Sequence, residues 1–131
     1  MPRENQPISA RRGALWAAVV CCLLLPACAR QNVPAEADVA RRSLDAALAS
    51  WKAGEQSADL ARRTPPIVMG DFAWESGRKL ADYRIPEAAR NDGANLHYLV
   101  ELTLSDSQGG SNKQEVSYVV GTDPTITIFR D

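Results

Sequence analysis

The stretch NLHYLVELTLS, Asn95 to Ser105, decides the fold. Leu96, Tyr98, Val100, Leu102 and Leu104 fall on one side of an extended chain, and His97, Leu99, Glu101, Thr103 and Ser105 fall on the other. Successive side chains of a strand point to opposite faces, so this alternation predicts a strand with one face in a core and the other in water. SDSQGGSNK then supplies turn residues, after which Val116, Tyr118 and Val120 alternate in the same way. Gly121 to Pro124 turn the chain once more, and Ile126 and Ile128 alternate up to Arg130. Upstream, KLADYRI (79–85) alternates with Ala81, Tyr83 and Ile85 on one side. IVM (67–69) is a short extended piece, and DFAWESG (71–77) is a turn or a single helical turn. These segments predict an antiparallel meander of about four strands with one apolar face.

Such a face needs a cover, and the segment before it supplies one. From Pro34 onward Ala40, Leu44, Ala47, Leu48 and Trp51 recur at i, i+4, i+7, i+8 and i+11, a single apolar stripe on an otherwise charged cylinder. Glu36 and Asp38 suit the positive end of a helix dipole, and Gly54 suits the residue just past its C-terminus. Ser57 can start one further short turn, SADLARR, that Pro65 and Pro66 end. A helix with one apolar stripe and a sheet with one apolar face bury their greasy sides only against each other. The expected fold is therefore α+β, a long N-terminal amphipathic helix on a curved antiparallel sheet, forming one domain over residues 34–131.

The first 27 residues have a different character. Arg11 and Arg12 precede ALWAAVVCCLLL, Ala14 to Leu25, an apolar run of 12 residues. A basic segment, an apolar core of about 7–15 residues and a small-residue cut site define an export signal, whereas a membrane span needs about 20 residues. As a helix this run would cover only about 18 Å. Residues 1–27 are thus expected to be a signal peptide and residues 28–33 a tether. Cys21 and Cys22 lie inside the removable core, so at most Cys28 survives processing and no internal disulfide can form. The 131-residue chain carries a formal charge of -1 and no basic patch interleaved with aromatics, which excludes an ordinary nucleic-acid binder.

Leu25, Pro26, Ala27 and Cys28 resemble the bacterial lipobox, in which the cysteine is acylated and becomes the new N-terminus. The resemblance to small bacterial lipoproteins implies a protein of the cell envelope, attached to a membrane by lipid on Cys28, and covers only these residues and the core before them. Pro26 departs from the small or β-branched residue usual at that position. Ala29, in place of an aspartate, implies by the same resemblance that the protein need not be held at the inner membrane. The alternative is an A-x-A cut between Ala29 and Arg30, which would release a soluble periplasmic or secreted protein. The order of elements over residues 34–131 is similar to that of the NTF2-like and cystatin-like folds, on no sequence motif.

Chemistry-bearing residues are sparse. His97 is the sole histidine, so a zinc site with three or four ligands has no donor set, and no nucleophile turn of the G-x-S-x-G kind occurs. Asp71 and Glu75 fall short of an acidic calcium loop. In NTF2-like enzymes an acid and a tyrosine share a pocket between helix and sheet. Tyr98 and Tyr118 fall on the inward face here, but the central strand brings no carboxylate to that side. Trp51, Tyr98 and Tyr118 are the candidates to line such a cavity, and Trp74 is expected to plug one end of the sheet. No catalytic residue, metal or cofactor is expected. The reading is a non-catalytic binding or envelope-associated domain and not an enzyme, with an NTF2-like small-ligand binder or enzyme as the alternative.

Overall fold

The computed structural model describes residues 34–131; the segments expected to be a signal peptide (1–27) and a tether (28–33), Cys28 included, lie outside the described residues. Helix α1 spans Ala37–Lys52 and is followed by a six-residue 3-10 turn, Ser57–Arg62. Strand β1 is Ile67–Gly70, helix α2 is the single turn Phe72–Glu75, and β2 is Lys79–Arg84. A two-residue β3 (Arg90–Asn91) precedes β4 (Leu96–Ser105), β5 (Ser111–Gly121) and β6 (Ile126–Arg130). The architecture is α+β, a curled mixed sheet in the order β1-β6-β5-β4-β2, with β3 also paired to β4.

The sheet departs from the expected meander in two ways. It has six strands, not about four, and it is not wholly antiparallel, because β1 runs parallel to β6 with Ile67 beside Ile126 and Gly70 beside Phe129. Alternation within a strand sets which face is buried but carries no information about strand direction, so the parallel edge was invisible to it. The phase of β2 is also corrected. Leu80 pairs with Leu104 and is buried, a bulge follows, and Tyr83 pairs with Leu102. The extra residue at the bulge leaves Ala81 exposed and carries Tyr83 back to the inner face.

The inner face is built from the five alternating residues of β4 together with Val116, Tyr118, Val120, Ile126 and Ile128, all buried. Helix α1 lies across it, touching β1, β2, β5 and β6 and burying Ala40, Leu44, Ala47, Leu48 and Trp51. Leu44 and Leu48 are fully enclosed, and each such burial stabilises the fold by about 2 kcal/mol. The helix ends where Gly54, at φ +86°, takes the left-handed conformation that an L side chain resists. Its N-terminus is fixed to the sheet: the Glu36 amide donates to Thr122 Oγ1 at 3.0 Å, just past the end of β5.

Candidate functional site

Among the described residues Asp71 is the one charged side chain sealed in the core. It sits where β1 gives way to α2 and acts as the N-cap of that turn, its Oδ1 accepting from the amides of Ala73 (2.8 Å) and Trp74 (3.2 Å). Its Oδ2 accepts the Tyr118 hydroxyl at 2.5 Å, and Arg130 Nη1 stands 3.4 Å from Oδ1. Burial first, and then the hydrogen bond to Asp71, pushes the Tyr118 phenol well above its ordinary value, so it remains a neutral donor. The Arg130 guanidinium covers the Phe72 ring at 4.5 Å. A carboxylate that was missing from the inner face of β4 thus arrives from another element. The signal was an aspartate directly before a short helical turn, the signature of an N-cap. Every oxygen of Asp71 is taken by protein groups, and the arrangement is chemically a lock that joins α2 to β5 and β6.

Trp51 and Trp74 form a second cluster. Their rings stack with centroids 5.4 Å apart and planes within 5°. The surrounding backbone repeats: WKAG (51–54) and WESG (74–77) each end a helix at a glycine of positive φ, whose amide donates to the carbonyl of its own tryptophan. The indoles then cross over. Trp51 Nε1 donates to the Arg78 carbonyl at 2.7 Å, one residue past Gly77, and Trp74 Nε1 donates to the Glu55 carbonyl at 2.9 Å, one residue past Gly54. Both tryptophans are nearly enclosed, 2% and 6% exposed, so Trp74 plugs this end of the sheet. A half-open groove of about 690 Å³ runs over their edges between the two glycine turns, with Glu55, Glu75, Arg78 and Lys79 on its walls.

Of the residues named as cavity-lining, the structure puts Trp51 in that groove. Tyr98 and Tyr118 line neither it nor the shallower groove between α1 and β2. Tyr98 is buried under the start of α1, its hydroxyl 3.5 Å from the Ala37 carbonyl. Cys28 lies outside the described residues.

His97 lies on the outer face of β4, with Nε2 2.7 Å from Asp92 Oδ2. The other Asp92 oxygen accepts from the amides of Ala94 and Asn95. The His97 bond, followed by those amides, holds the Asp92 carboxyl far below the usual carboxylate range. The accepting carboxylate places the shared proton on Nε2 and leaves Nδ1, which is buried, with no hydrogen-bond partner among the described residues. A histidine oriented by an acid is half of a nucleophilic triad, and no hydroxyl or thiol hydrogen-bonds to its free nitrogen here. Among the described residues no three His, Cys, Asp or Glu side chains gather at a spacing that could hold a metal ion.

The outer face also carries apolar side chains in the open: Val68 (43% exposed), Leu99 (56%) and Phe129 (48%). The strand registers place Gly70, Phe129, Val119, His97 and Arg90 in one row across β1, β6, β5, β4 and β3. The Phe129 ring lies over Gly70, where even a methyl group would stand 2.7 Å from it. Farther from the β5–β6 turn the same face becomes charged, with Glu101 opposite Glu115 and Lys113 opposite Thr103.

Comparison with models of protein families, with curated proteins and with solved structures finds no match.

Proposed function

We propose that this chain is an exported protein, tethered to a membrane through acylated Cys28, whose domain over residues 34–131 binds a partner and performs no chemistry. The observation that carries the reading is the leader: two arginines, twelve apolar residues too few to span a bilayer, and Leu25 to Cys28 at the junction with polar chain. The interior is consistent with it. Asp71, the buried carboxylate, is saturated by two amides, a phenol and a guanidinium. The outer sheet face, by contrast, leaves apolar side chains open, which is the character of a contact surface.

The deciding experiment is intact-mass and fractionation analysis of the wild type beside Cys28→Ala in a bacterial host. Acyl mass on an N-terminal cysteine and membrane association, both lost in the variant, are the expected results. A wild-type chain that begins unmodified at Arg30 would overturn the tether. The groove over Trp51 favours a second reading, a small-ligand binder. It predicts that a screen of small metabolites shifts the emission of Trp51 and Trp74, and a screen without such a shift removes it.

A further inference from the structure

We propose that the apolar half of the outer sheet face, centred on Phe129, Val119 and Leu99, rests against the bilayer to which the chain is tethered. This rests on the acylation of Cys28 proposed above. Pro34 lies six positions after Cys28, so the chain between them reaches at most roughly 20 Å. A domain of about 100 residues has a radius of gyration of about 13 Å, so a tether of this reach keeps part of its surface at the membrane.

Which part is decided by where the tether leaves. Glu36 is bonded to Thr122 at the β5–β6 turn, so the chain enters at that end of the sheet. On the outer face the rows nearest this end hold Val68 with Thr127, then Phe129 and Val119 with His97 and Arg90, and Leu99 with Ser117 follows. The rows carrying Glu101, Glu115 and Lys113 lie at the other end. The opposite side of the domain is less suited, because the exposed residues of α1 include Arg42, Asp45 and Lys52. Apolar side chains therefore occupy the part of the surface that the tether holds nearest to lipid. Attachment through so few residues holds this face near lipid at an effective concentration on the order of mM, so weak contacts of this kind become engaged without further affinity.

The test uses the full chain, processed by the host and reconstituted in vesicles of phosphatidylethanolamine and phosphatidylglycerol. Benzoylphenylalanine is placed singly at Phe129, Leu99, Lys113 or Glu115, and photoadducts are weighed. Lipid adducts several-fold more abundant at positions 129 and 99 than at 113 and 115 are the expected result. Leu99 carries the test independently if the larger side chain at 129 disturbs its seat over Gly70. Equal labelling at all four positions, no lipid adducts, or adducts with a second copy or another protein at 129 and 99 would overturn the proposal while leaving the tether intact. The same mass spectrum reports the N-terminus, so absence of the acyl group shows that the tether reading, and this one with it, has failed.

Discussion

Asp71 holds more of the molecule together than any other single polar side chain described. It caps α2, receives Tyr118 and faces the partly exposed Arg130, and neither Asp71 nor Tyr118 has water as an alternative partner in the core. Removing one member of a buried ionic network costs more than the network contributes, because the remaining groups stay desolvated without partners. Asp71→Ala is expected to destabilise the domain by about 3–5 kcal/mol, and Tyr118→Phe by about 1–3 kcal/mol, in urea unfolding monitored by circular dichroism. The tyrosines offer a spectroscopic prediction. Burial raises Tyr118 and Tyr98, and burial with the Asp45 hydrogen bond pushes Tyr83 up to about 12, so all three tyrosines of the chain resist ionisation. A phenol raised in the folded state contributes stability that is complete below the unfolded value near 10 and is lost as pH climbs through the folded value. The rise in absorbance at about 295 nm that marks phenolate should thus be displaced to higher pH than in the urea-unfolded chain, whose tyrosines titrate near 10. The last phenolate should appear together with loss of the far-ultraviolet signal, and a folded protein whose three tyrosines titrate as they do in the unfolded chain would contradict this assignment.

At the scale of elements, the two helix ends and the two tryptophans act as one fastening. Each indole reaches the carbonyl just beyond the other's glycine turn, so α1 and the α2–β2 connection fix one another. Parallel ring pairs add about 0.5–1.5 kcal/mol beyond the area they bury. A double-mutant cycle on Trp51→Leu and Trp74→Leu, which removes the stacked rings, should therefore show a coupling energy of about that size, measured by chemical unfolding. Gly54→Ala and Gly77→Ala face no steric obstacle, since nothing lies within 4 Å of either added carbon. They nevertheless force an L side chain to positive φ, and each is expected to cost about 1–2 kcal/mol. The strands differ in how firmly they are held. Strand β4 pairs along its whole length with β5, whereas β3 offers two residues. The Arg41 guanidinium steadies the link between β2 and β3 by donating to the carbonyls of Ile85 and Pro86.

The domain over residues 34–131 layers α1 on one face of its sheet, and its protection should follow these layers. Amides at the centre of β4 and β5 lie between strands and under α1, so they are expected to be the slowest to exchange with deuterium, at rates set by global unfolding. Those of β3 and of the β4–β5 turn should exchange first; a β5 centre as labile as β3 would mean that α1 does not seal the sheet. Much of this plan is legible in single residues. Leu96 to Leu104 fixed the central strand and its buried face, because a period of two has only one reading when one side is apolar and the other polar. The stripe from Ala40 to Trp51 matched a helical face for the same reason at a period of 3.6. Local periodicity says nothing, however, about what lies across the gap between elements. The parallel seating of β1 on β6, the bulge that reverses the phase of β2 and the delivery of Asp71 to Tyr118 each depend on residues tens of positions apart. The crossed indoles do too, since their partners are backbone carbonyls with no residue-specific signal. The sequence by itself determined the α+β class, the buried faces and the expectation of export through the leader. Only the tertiary structure decided the strand directions, the buried polar lock and the exposed apolar end of the sheet, because those are set by long-range packing rather than by the order of neighbouring residues.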